Sequence, residues 1–148
     1  MKKIIAILTL VTVFVTGAFA ADGVTIDNKK VLEAFKREFA TAEDVAWYTT
    51  PDKFVAKFTM HARKVTAHYN KEGELLATSR YITDSDLPLN VITRLMKKYP
   101  DQKINNIVEY EADGTTTYVV TLESETHWTV LRAESNGNIS RLKKLQKA

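Results

Sequence analysis

A chain of 148 residues without a cysteine can close no disulfide and carry no thiol-linked lipid, so its stability must come from buried apolar surface and paired strands. Its 21 basic and 18 acidic side chains give a formal charge of +3, but Lys2 and Lys3 belong to an N-terminal segment with a composition of its own. Without those two lysines the balance is 19 against 18, too near neutrality to point to a nucleic-acid partner.

After Lys2 and Lys3 an apolar and small-residue run extends from Ile4 to about Phe19, and Ala18-Phe19-Ala20 places small residues at −3 and −1 of a cleavage point. These are the features of a cleavable secretory signal peptide over 1–20. The run is shorter than the ~20 residues a membrane-spanning helix needs. The mature chain, 21–148, is therefore expected to be periplasmic or secreted, without stable membrane insertion. It is long enough for one domain and too short for two independent ones.

Residues 27–39 predict an amphipathic helix. Val31, Phe35 and Phe39 fall at i, i+4 and i+8, charged residues occupy the other face, and Asp27 or Asn28 can cap the start. From Val45 the period becomes two: Val45 and Trp47, then Phe54, Ala56, Phe58 and Met60, then Val65, Ala67 and Tyr69. Asn70-Lys71-Glu72-Gly73 marks a turn before a strand from about Glu74 to Ile82. The order then recurs. Pro88 precedes a second helix with Val91, Leu95 and Tyr99 on one stripe, ended by Pro100. Strands follow at 104–111, 116–123, 126–133 and 139–145, with turns at Asp113-Gly114 and Asn136-Gly137. Phe39 matches Tyr99, Phe58 matches Leu122 and Gly73 matches Gly137 at nearly constant offset. The predicted fold class is α+β: a tandem repeat, over about 27–83 and 84–148, of one helix and an antiparallel β-meander of about four strands.

Val31-x-x-Ala34-Phe35-x-x-x-Phe39, Ala42-x-x-Val45-x-Trp47, Phe54-x-Ala56-x-Phe58, Val65-x-Ala67-x-Tyr69, Gly73-Glu74-Leu75 and Leu87-Pro88-x-x-Val91 together resemble the PepSY-like, beta-lactamase-inhibitor-like group of small exported domains. The resemblance spans the mature chain and rests on core and turn positions. It implies helices packed on antiparallel sheet with an open face available to a partner, which in some relatives is an enzyme that is blocked. Ala40 stands where such sequences usually have proline, and His61-Ala62-Arg63 replaces an expected glycine turn.

No catalytic constellation is legible. There is no Gly-x-Ser-x-Gly elbow, no glycine-rich phosphate loop and no cysteine nucleophile. His61, His68 and His127 have no spacing that demands a metal, and no cofactor is indicated. Strand parity instead places Lys57, Thr59, Lys64, Thr66, His68, Thr78 and Arg80 outward, followed by Thr117, Thr121, His127 and Thr129, with Trp47 and Trp128 inward and Tyr48 a candidate anchor. The candidate binding residues are Lys57, Lys64, Thr66, His68, Arg80, Tyr48, His127 and Thr129. The basic stretch from Arg141 to Lys147 reads as an edge strand protected by lysines. The expected function is a non-enzymatic exported module that binds, and could inhibit, a protein through its open sheet face. The alternative is a periplasmic protein that binds a small ligand or peptide in the cleft between the two halves.

Overall fold

A computed structural model describes residues 23–148; the expected signal peptide over 1–20 and its expected cleavage point lie outside the described residues. Helix α1 (Lys29–Glu38) is followed by β1 (Glu43–Thr49), β2 (Phe54–Met60), β3 (Arg63–Tyr69) and β4 (Leu75–Ile82). A 3-10 turn at Asp84–Asp86 leads to α2 (Leu89–Lys98), then β5 (Lys103–Ala112), β6 (Thr115–Glu123), β7 (His127–Glu134) and β8 (Ile139–Gln146).

The elements follow the expected order, but the expected architecture, α+β as a tandem repeat of helix-plus-meander units, is corrected. Among the described residues, eight strands form a single antiparallel sheet in the order β1 to β8, accompanied by two short α-helices. The reason is the pairing of β4 with β5, where Thr78, Ser79, Arg80, Tyr81 and Ile82 stand opposite Glu111, Tyr110, Glu109, Val108 and Ile107. That ladder consumes the edges at which two separate sheets would have ended.

Both helices lie on one face. Asn28 caps α1 by accepting the Val31 amide at 3.2 Å, so the terminus falls one residue after Asp27, the other candidate. Phe35 lies 5.1 Å from both Trp47 and Phe58 in edge-on contacts, and Phe39 lies 4.8 Å from Phe58. Such aromatic pairs favour tilted geometry over flat stacking. The cluster closes over Ala56, Ala67 and Tyr69, none of which is exposed. The Tyr69 hydroxyl donates to Glu38 at 2.8 Å, which satisfies its polar end without opening the core. Beneath α2, Val91 and Leu95 pack on Ile107, Val120, Leu122, Leu131 and Ala133. A third, smaller cluster of Tyr110, Val119 and Val130 lies on the opposite face, where the register places all three.

The turns explain the two unusual sequence positions. His61 and Ala62 both adopt positive φ (49° and 60°) between β2 and β3, the twist a two-residue hairpin needs whether or not glycine supplies it. Ala40 follows α1 at the break before β1, and the chain leaves the helix there without proline.

Gly73 has φ +86°, and a Cβ there would lie 2.8 Å from the Lys30 carbonyl oxygen. Gly114 has φ +70° but open space around it. Gly73→Ala is therefore expected to cost about 2 kcal/mol and Gly114→Ala about 1 kcal/mol, read from urea unfolding midpoints. Equal costs would mean that the contact with α1 contributes nothing.

Candidate functional site

The face away from the helices is traced by cross-strand partners. Tyr48 stands opposite Val55 and Val55 opposite His68; Lys57 stands opposite Thr66 and Thr59 opposite Lys64. Thr66 then meets Ser79, Ser79 meets Tyr110 and Tyr110 meets Thr117. A third row runs Tyr81, Val108, Val119, Arg132. Alternation of side chains along each strand makes every member of these rows share one face.

Of the eight candidate residues, the sheet brings together Tyr48, Lys57, Lys64, Thr66 and His68. It separates the other three. Arg80 stands opposite Val65 and Glu109, on the helix side, where its Nε donates to Glu109 Oε1 at 2.6 Å. The cause is an irregularity between β3 and β4: Tyr69 pairs with Leu75 but His68 with Ala77, so Leu76 is inserted and the parity of β4 shifts by one. Thr78 moves with Arg80 for the same reason.

On β7 the expected parity is also displaced by one residue. Leu122 stands opposite Thr129 and Glu123 opposite Trp128. Thr129 is thus buried on the helix side at 2% exposure and can touch no partner. Trp128, read as a core residue, lies on the open face with the Lys147 Nζ 4.7 Å above its ring. His127 sits at the end of β7 opposite Gln146, its Nδ1 2.9 Å from Ser124 Oγ and 3.0 Å from Thr126 Oγ1. Partial burial, with Lys144 and Lys147 nearby, holds its pKa below the usual value.

His68 lies on the open face, as expected, but is not exposed: 4% of its surface is accessible. Burial, with added repulsion from Lys53 and Lys57, lowers its pKa to about 4. The imidazole is therefore neutral at pH 7, part of the floor of this surface and not one of its charges. Lys57 lies 5.1 Å above the Tyr48 ring, and Lys64 donates to Thr59 Oγ1 at 2.8 Å.

The sequence reading missed Tyr81, 59% exposed, and Leu145, 45% exposed, together with Val108 and Leu142, which pack at the open-face cluster. A polar alternation of Ala77, Ser79 and Tyr81 was the available signal. Only the bulge reveals which face it describes. Around these apolar groups the positive charges are Lys57, Lys64, Lys103, Arg132 and Lys143; Lys147 reaches across from the C-terminal end. The carboxylates on this face are Glu43, opposite Thr59, and Glu123 and Glu134, which are matched to Lys147 at 2.6 Å and Arg132 at 3.6 Å. The face is net positive. Among the described residues, no group of three or more His, Asp or Glu side chains is placed to hold a metal ion, and no helix is long and apolar enough to cross a membrane.

A single antiparallel sheet with two helices on one face defines the fold class, and solved structures share it. One is a BLIP-like protein from Bacteroides fragilis, 20% identical, with a TM-score of 0.72 over 85% of this chain and 92% of that one. Another is a DUF2874 family protein from Bacteroides ovatus, 19% identical, TM-score 0.72, covering 84% and 89%. A third, a Bacteroides eggerthii protein described as periplasmic, is 16% identical with TM-score 0.72 over 84% and 90%. No family model and no curated protein matches the chain. At these identities the shared property is the fold, which is BLIP-like; the PepSY-like part of the expected resemblance has no counterpart in these descriptions.

The low pKa of His68 has a consequence for stability. The unfolded imidazole titrates near 6.5, so between about pH 6.5 and 4 the unfolded chain binds a proton that the folded chain refuses. Stability is constant above that window and falls as pH drops through it, by about 3 kcal/mol in total. Urea titrations of the protein and of His68→Leu at pH 7, 6, 5 and 4 should diverge by that amount. Parallel curves would show that His68 protonates equally well in both states.

Proposed function

We propose that this protein is a non-enzymatic binding module, acting in the periplasm or beyond it, that holds an acidic protein surface against the open face of its sheet. The observation that carries the reading is the composition of that face. Tyr81, Val108, Trp128, Leu142 and Leu145 present aromatic and aliphatic area that no element among the described residues covers, next to lysines that outnumber the carboxylates. Apolar area dried by a partner supplies affinity, while excess positive charge selects the partner's sign and accelerates encounter. The hydroxyls of Thr66 and Thr121 can pair with a partner's polar groups on contact. An exported setting agrees with the signal-like N-terminus and with a fold neighbour described as periplasmic.

Inhibition of an enzyme is one form such binding can take, in keeping with the BLIP-like fold.

The reading is tested by charge reversal. The exported protein is used as bait in envelope extract, and the affinity of a purified captured partner is then measured at physiological salt. Lys57→Glu with Lys64→Glu should weaken that complex by at least tenfold while the melting temperature moves by less than about 2 °C. Lys29→Glu with Lys36→Glu, exposed on α1, should leave it unchanged. The opposite pattern would assign the interaction to the helix side.

A further inference from the structure

The helix-covered face is not apolar throughout. Under α1 and α2 it carries the two larger cores, but beyond Ile82 and Ile107 the β4–β5 ladder presents Thr78, Arg80, Glu109 and Glu111 on this face. Of the two helices only the end of α1, at Glu38 and Phe39, reaches this strip. A groove of about 750 Å³ opens there, within the ~300–1,000 Å³ typical of small-ligand sites.

Its lining combines two chemistries. Phe39, Met60, Val65, Leu75 and Leu76 give apolar surface, and the two leucines are left 37% and 38% exposed. The charged lining is Glu38, Glu109, Glu111 and Asp113 against Arg63 and Arg80. Both guanidinium groups are already matched, Arg80 to Glu109 at 2.6 Å and Arg63 to Asp86 at 3.3 Å. Glu38 accepts the Tyr69 hydroxyl, which leaves its charge in place, and its nearest cation is Arg37 at 3.9 Å, itself 74% exposed. Glu111 and Asp113 add two negative charges. The groove is therefore net negative on the side of the sheet opposite the net positive face.

We propose that this groove is a second binding site, separate from the open face, for ligands that carry an amine or guanidinium cation on an apolar body. The cation offsets the surplus carboxylates, and the body covers Leu75, Leu76 and Phe39. An anion of the same shape meets repulsion, and a neutral analogue gains the apolar contact alone. A free amine and a lysine side chain of an extended peptide share this chemistry.

The test is a set of amide-shift titrations on the ¹⁵N-labelled exported protein. The probes are 4-phenylbutylamine, its neutral counterpart 4-phenylbutanol, its anionic counterpart 4-phenylbutyrate, and the blocked dipeptide N-acetyl-Phe-Lys-amide. The amine should bind at least fivefold more tightly than the alcohol, with shifts centred on Phe39, Val65, Thr78 and Glu111. Glu111→Gln and Asp113→Asn should each weaken the amine by about threefold and together by about tenfold, as expected for partly screened charges, while the alcohol is unaffected. A dipeptide that binds more tightly than the amine identifies peptide as the source; the reverse identifies a free amine. Equal affinity for all probes, shifts centred on Tyr48 and Tyr81, or no saturable shift would overturn the proposal. Lys57→Glu with Lys64→Glu disrupts the open face alone and should leave amine binding intact, so the two sites can fail independently.

Discussion

The ladder between β4 and β5 is the pairing on which the rest of the molecule depends. Five residue pairs from Thr78↔Glu111 to Ile82↔Ile107 convert what could have been two four-stranded meanders into one sheet. The ion pair across it, Arg80 with Glu109, is partly exposed at 44% and 17%, and such pairs contribute about 1 kcal/mol or less. The ladder holds chiefly through its backbone hydrogen bonds and through Ile82 and Ile107, 8% and 1% exposed, which tie it to the core beneath α2. It also fixes Lys57 and Lys64 in relation to Tyr81, Val108 and Trp128. Without it, the basic and aromatic parts of the open face would belong to separate bodies.

Coverage follows from the same geometry. Eight strands at about 4.8 Å spacing make a sheet roughly 34 Å wide. Two helices of 10 residues, each about 15 Å long, can shield one face of it and not both. The residues on the two faces answer this difference. Helix-side positions beneath α1 and α2 are mainly Ala, Val, Leu, Ile and aromatic residues; the other face mixes Thr, Lys and aromatic side chains around the small cluster of Tyr110, Val119 and Val130. Where the helices leave a gap on their own side, the strand residues become charged. The open face and this gap both leave apolar strand residues exposed, among them Tyr81 and Leu145 on the first and Leu75 and Leu76 in the second.

The helices, the strands and most turns were legible because each depends on local periodicity: Val31, Phe35 and Phe39 on one stripe, Ala56 and Phe58 on one strand face, Gly73 at positive φ. The single sheet was not legible. The likeness of Gly73 to Gly137 and of Phe58 to Leu122 draws the eye to two units, whereas the edge pairing of β4 with β5 is a contact between residues some 30 positions apart and leaves no local mark. The candidate surface was half legible for a related reason. Parity is dependable along one strand, so Lys57, Lys64, Thr66 and Tyr48 were placed on the correct face. One inserted residue, Leu76, reverses parity for the rest of β4 and moves Arg80 to the helix side. On β7 the tryptophan was assigned inward because it shares parity with apolar neighbours such as Val130, whereas Leu122↔Thr129 sends the small threonine into the core and the indole outward. Burial of His68 depends on neighbours from two other strands, Val55 and Ala77, and so could not be read from its own strand.

The claim that the eight strands form one unit is tested most directly by native-state hydrogen exchange at low urea concentrations. Amides of Ala67 on β3, Tyr81 on β4, Val108 on β5 and Val120 on β6 should converge on one opening free energy, equal to that of global unfolding. Exchange of β1 to β4 through a cheaper opening, while β5 to β8 stay protected, would show that the ladder does not join them and that the open face is not one surface.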